Sequence, residues 1–167
     1  QIGTENLYIL LDGTDQKNPE NCGRAHITKL EHKQMSRAAG DKYRINKISE
    51  LAHKLLQKYD IVIGCDSDEF LIVDPRTKQS LHQYLSNKKI HTTLSGLGLD
   101  VGQHLYNEAI LDKNGPFLEQ REYALLSTRY TKPVVINKPV TWGSGFHSIK
   151  HHNFHIDKNL YLLHFGA

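Results

Sequence analysis

Apolar positions along this chain come in short blocks, and the spacing within each block separates helix from strand. Leu7 to Leu11 is a brief apolar run that stops at Asp12-Gly13-Thr14-Asp15, which predicts a strand ending in a polar turn. Gln16 to Gly23, rich in Asn, Pro and Gly, predicts a loop. Ile45, Ile48, Leu51, Ala52, Leu55, Leu56 and Tyr59 then recur at helical spacing and predict an amphipathic helix. Almost no loop separates it from Ile61 to Cys65, a continuous apolar run of the kind that forms a strand covered on both faces. Four polar residues later a second run, Phe70 to Val73, begins. Further strands are predicted near His91 to Leu97, at Val134 to Ile136 and from Leu160 to Phe165, and a helix from Leu118 to Ser127. Strand, helix, then buried strand is a parallel α/β order. The expected fold is a single α/β domain with a mostly parallel central sheet flanked by helices. No repeat, low-complexity tract or linker divides the 167 residues.

Composition agrees. An apolar fraction of 38% and a charged fraction of 23% are those of a globular protein large enough for a sizeable core. The net charge of +3 is too mild to imply a nucleic-acid partner, though it suits an anionic ligand. Two cysteines, Cys22 and Cys65, give no disulfide framework. No apolar run approaches the roughly 20 residues of a membrane span, and the N-terminus lacks a signal-peptide pattern. The expectation is a cytoplasmic protein without a membrane span, with peripheral membrane association left open. A Walker A loop and a G-x-G-x-x-G are both absent, which disfavours nucleoside-triphosphate hydrolysis and dinucleotide redox chemistry.

The chemistry concentrates at Asp66-Ser67-Asp68-Glu69, between two apolar runs. Unpartnered carboxylates among buried strands are costly, and Asp66 and Asp68, two apart in an extended segment, point the same way. They can share one hard divalent cation, Mn2+ or Mg2+. A solvated turn is the alternative, but such a turn more often offers Gly or Asn. In open α/β sheets ligands bind at the carboxyl ends of the strands, where Asp12, Asp66 and Asp68 all fall. Eleven histidines are spread along the chain. His147, in Gly143-Ser144-Gly145-Phe146-His147, is a candidate for touching phosphate or acceptor. With His151, His152 and His155 it forms a cluster whose spacing fits no common zinc motif.

The DSDEFL segment resembles the D-x-D region of glycosyltransferases with the GT-A fold, especially bacterial family-2-like members carrying D-x-DEF. Three other segments resemble that family in the same order: LYILLDGTD (7–15), KPVVINKPVTWGSGFH (132–147) and LYLLHFG (160–166). The resemblance implies one Rossmann-like GT-A domain over residues 1–167, beginning after the first strand and helix of that fold. It also implies a metal held by Asp66, Asp68 and His164, with Asp66 and His147 near the donor phosphates and Asp12 against the nucleotide. The metal would neutralise the leaving diphosphate of a nucleotide-diphosphate sugar. The acceptor would be a glycan, lipid or protein. An inverting enzyme needs a carboxylate base near the anomeric carbon, and the candidates are Asp100, Glu119 and Glu122. Gln103 and His104 could meet sugar hydroxyls. Trp142 could stack on a sugar ring or sit in the core. Arg44 and Lys47 could reach diphosphate oxygens or face water. Two rival readings are a metal-dependent phosphoesterase or nucleotidyltransferase and a non-catalytic nucleotide-sugar-binding module.

Overall fold

A computed structural model describes residues 2–112, 114–152 and 155–166. Strands β1 (Tyr8–Asp12) and β2 (His26–Leu30) pair in parallel as a small sheet of their own, from Tyr8 opposite His26 to Asp12 opposite Leu30. Helix α1 (Arg37–Leu55) follows, then β3 (Val62–Ile63), β4 (Glu69–Val73) and the short helix α2 (Leu81–Ser86). The long strand β5 (Thr93–Val101), then β6 (Ala124–Leu126), β7 (Val135–Ile136) and β8 (Ile156–Phe165) complete the order. The larger sheet runs β3-β7-β5-β8-β4, and β6 pairs with β5 as well. No helix among the described residues is long and apolar enough to cross a membrane.

The fold is therefore mixed α/β, but the expected mostly parallel, helix-flanked sheet is not what forms. Within the larger sheet only β5 and β8 run parallel; the β3–β7, β7–β5, β5–β6 and β8–β4 ladders are antiparallel. A parallel neighbour needs a crossover of a dozen or more residues, usually a helix. The described residues supply only two α-helices, of 19 and 6 residues.

The predicted helix at Leu118 to Ser127 is replaced by a 3-10 turn, Phe117–Gln120, and by β6. Leu118, Leu125 and Leu126 are all exposed, so a helix here would have had no face to bury. The helix read from Ile45 begins earlier, at Arg37, because its first two turns are polar and carry no apolar period. β2 and α2 were not foreseen. α2 did carry a readable start: Ser80 accepts from the Gln83 backbone N–H and the Gln83 side chain accepts from the Ser80 N–H.

Alternation along the strands feeds two cores. Val62 and Ile136 face α1, where Ile45 and Ala52 pack with Val140, Trp142, Phe146 and Ile149. Val134, Val135, Leu160 and Leu162 lie in the other core with Leu94 and with Tyr84 and Leu85 of α2. Trp142 is 2% exposed and its indole N–H donates to the Pro133 carbonyl at 2.9 Å. It is thus the core tryptophan of the two readings above, not a sugar platform. The loop after β3 turns at Gly64, where a Cβ would lie 2.8 Å from the Phe146 ring and 3.1 Å from Trp142. Only glycine lets the chain pass so close to that core and then deliver Asp66, Ser67 and Asp68 to the surface.

Candidate active site

The acidic segment lines a cleft of about 380 Å³ together with Arg129, Tyr130, Lys132, His147 and His164. Three strands place these groups. β8 lies between β4 and β5, with His164 opposite Glu69 on one side and Asp100 on the other. The Phe165 N–H donates to the Asp68 carbonyl at 3.0 Å, which ties the acidic loop to the end of β8. Asp68 is thus held beside His164 by backbone, not only by its side chain.

His164 is the centre of the arrangement. Its Nδ1 lies 2.8 Å from Asp100 Oδ1 and its Nε2 lies 3.5 Å from Asp68 Oδ2. The two ring nitrogens thus face two carboxylates, Asp100 at Nδ1 and Asp68 at Nε2. A carboxylate behind an imidazole in this way orients the ring, as it does behind metal-bound histidines. The Tyr130 ring stacks on the other dimension of the imidazole, centroids 3.6 Å apart and planes 12° apart. Tyr130 is brought there by Gly98 on β5, whose N–H donates to Thr131 Oγ1 at 2.9 Å.

Lys132 was quoted in the sequence only as the start of a strand segment, yet it is the buried cation of the site. It is 2% exposed, pairs with the buried Glu69 carboxylate, and reaches Asp66 Oδ2 at 3.1 Å. Glu69 in turn accepts from the Asp66 N–H at 3.2 Å. So of the three acids, Glu69 is neutralised internally and Asp66 partly so, while Asp68 faces the cleft opposite His164. The signal for Lys132 in sequence was weak, since a lysine before an apolar run is ordinary. Its pairing spans 63 residues.

His147 also lines the cleft. Desolvation of its ring, then the Lys132 charge nearby, holds its pKa below the usual histidine value. Desolvation, then the Glu69 and Asp66 carboxylates, push the Cys65 thiol up to about 11.

The remaining predicted residues lie elsewhere. Asp12 lines a second cavity of about 260 Å³ with His32, Tyr43 and Arg44. There it accepts from Arg44 at 3.1 Å and stands 3.3 Å from His32 Nδ1. Lys47 is taken by Glu50 at 2.8 Å. Glu119 is exposed in the 3-10 turn and Glu122 is exposed just beyond it, both outside the cleft lining. Gln103 Nε2 bonds the Glu108 and Ala109 carbonyls, and His104 packs on Tyr123 at 4.5 Å. His151, His152 and His155 are exposed, and residues 153 and 154 between them lie outside the described residues. Among the described residues, no group of three or more His, Cys, Asp or Glu side chains is assembled to hold a metal ion.

Comparison with family models, with curated proteins and with solved structures gives no match to this chain.

Proposed function

We propose that this chain is a metal-dependent glycosyltransferase domain of the GT-A type that transfers a sugar from a nucleotide-diphosphate donor. The observation that carries this reading is the Asp68–His164–Asp100 line, set in one cleft with Arg129, Lys132 and His147. One wall offers a carboxylate, which suits a hard divalent ion, beside an oriented imidazole. The other offers cationic and neutral donors, which suit phosphate oxygens.

The residues fit Mn2+ or Mg2+ in a particular way. Such ions are commonly held by one or two protein ligands and completed by substrate phosphates and water. Asp68 and the Nε2 of His164 would be those ligands, and Asp66 would join by leaving Lys132. When bound, the ion would neutralise charge developing on the departing diphosphate. The protein's own groups would do the rest. Asp100 would orient the His164 ring, and Lys132 pairs with Glu69. Arg129, exposed at the rim, would bind a phosphate oxygen bidentately. Asp12, in its separate cavity, would take the nucleoside end of the donor. Asp100 is occupied by His164, so as a positioning carboxylate it is better placed than as the acceptor's base; Glu119 does not line the cleft. The acceptor would be a glycan, lipid or protein hydroxyl.

Metal and phosphate chemistry is common to transfer and to phosphate-ester hydrolysis. Transfer is favoured by the resemblance of DSDEFL and LLHFG to the transferase family. The test is calorimetric titration with a panel of nucleotide diphosphates and nucleotide-sugars, with Mn2+ and then with chelator. One nucleotide should bind only with metal, and Asp68→Ala, which removes a direct ligand, should weaken that binding by at least the roughly 10–100-fold that losing an outer-shell partner costs, while leaving the fold intact. Metal-independent binding, or unchanged metal-dependent binding in the variant, would sink the assignment. Binding and cleavage of simple phosphate esters without nucleotide preference would favour the hydrolase.

A further inference from the structure

β6 has β5 on one side and no strand on the other among the described residues. All three of its residues are exposed. Leu125 and Leu126, at 76% and 68% exposed, are successive and so project to opposite faces of the sheet. The edge is therefore bare above, below and along its backbone. Natural sheets usually guard such an edge with a charge, a proline or a bulge. The segment Tyr123-Ala124-Leu125-Leu126-Ser127-Thr128 carries no charge and no proline, and its register with β5 is unbroken.

The hydrogen-bond phase of the ladder defines what this edge can accept. Ser127 N–H donates to the Gly98 carbonyl at 2.9 Å, and the register continues with Leu126 opposite Leu99, Leu125 opposite Asp100 and Ala124 opposite Val101. Bonded and non-bonded pairs alternate along an antiparallel ladder. Leu125 therefore directs its N–H and C=O to β5, while those of Ala124 and Leu126 point away from it. The outward groups are two donors and two acceptors, arranged symmetrically about Leu125.

We propose that β6 is a self-association edge, and that its occupant is β6 of a second copy of this chain running antiparallel. A two-fold axis at Leu125 sets Ala124 of one copy opposite Leu126 of the other, twice, so every outward donor meets an acceptor without any shift in register. The two Leu125 side chains meet in the non-bonded position, where side chains approach most closely. An isologous two-fold contact of this kind closes on itself and gives a dimer, not a fibre. The ladder is short, so the dimer is weak and reversible. Neither an acidic nor a basic partner surface is called for, since the edge itself is uncharged.

Sedimentation velocity across about 1 to 500 μM protein tests this, because the mass of a reversible dimer depends on concentration. The mass should rise from the 19.1 kDa of one chain towards twice that value. Ala124→Pro removes a donor that the monomer does not use, and Leu125→Lys sets like charges opposite each other. Each should weaken association about tenfold or more with an unchanged circular dichroism spectrum. If Ala124→Pro perturbs the fold, Leu125→Lys at its exposed position decides. A single-chain mass at the highest concentration would overturn the proposal. So would a dimer indifferent to folded variants, which would place the contact on another surface, and so would binding to neutral phospholipid vesicles by a strictly monomeric protein. The readout is mass alone, so it stands apart from the transferase reading.

Discussion

Lys132 shows most clearly what a single residue does in this protein. Its ammonium is buried with Glu69, and the pair is completed by Asp66 at the cleft edge. Breaking a buried pair from one side leaves an uncompensated charge, which costs about 3–5 kcal/mol. Lys132→Met should therefore lower unfolding free energy by about that amount in denaturant titration. Adding Glu69→Gln should recover a large part of it, because the stranded carboxylate is removed. A double variant no more stable than the single one would show that the pair is not the source of the loss. His147 gives a pH prediction. Its folded pKa lies below the ordinary histidine value, so the folded state takes up a proton less readily than the unfolded chain. Its contribution to stability is present above the ordinary value of about 6.5 and is lost as pH falls through the folded one. Thermal melts from neutral to mildly acid pH should fall more steeply for the wild type than for His147→Gln. Parallel curves would remove His147 from the acid side of the profile. Asp66 and Asp68 were legible in the sequence because carboxylates interrupt apolar runs, and His164 only through the resemblance of LYLLHFG. Lys132 and the partnership of Asp100 with His164 were not, since a pair 64 residues apart leaves no mark on local pattern.

At the scale of elements, β5 is where sequence and site meet. Gly98 sits under the 127–131 segment so closely that a Cβ would lie 2.3 Å from the Tyr130 carbonyl carbon and 2.4 Å from the Thr131 nitrogen. These are backbone atoms, so no rotamer change relieves the clash. Gly98→Ala should destabilise by about 1–3 kcal/mol or more, the range for overpacking. It should also lift Tyr130 away from His164, which would appear as changed chemical shifts of the His164 ring. An alanine variant with native stability and unchanged shifts would mean that the segment is not seated on β5 as described. The helix α1 was readable because Ile45, Ile48, Ala52 and Leu55 fall on one turn-spaced stripe that packs against the core. β6 was misread because two adjacent leucines satisfy either period over so short a stretch. Exposure decided it, as neither leucine has a core to enter.

Across the whole molecule, stability is unevenly spread. β1 and β2 form a two-stranded sheet with no fully buried apolar side chain, tied to the end of α1 through the Tyr8 and Tyr59 hydroxyls 3.2 Å apart. Two strands alone are marginal in water. β8, by contrast, has partners on both sides and carries Leu160 and Leu162 at 0% exposure. Native-state hydrogen exchange should show β1 and β2 amides opening at the low end of the free-energy range and β8 amides opening near the global value. Equal protection in both sheets would contradict this division. The sequence by itself determined that the chain is an α/β globule, that an amphipathic helix precedes an apolar strand, and that an acidic segment breaks two apolar runs; that strand is a two-residue sheet edge, Val62–Ile63, and not the doubly covered run expected from Ile61 to Cys65. Those features are local, written in spacing and in the cost of burying charge. Only tertiary structure decided the antiparallel pairing, the seat of Tyr130 on His164, the neutralisation of Glu69 by Lys132 and the separation of Asp12 from the cleft. Each depends on which distant segments become neighbours, and neighbours across dozens of residues are chosen by packing and register rather than by any one stretch of chain.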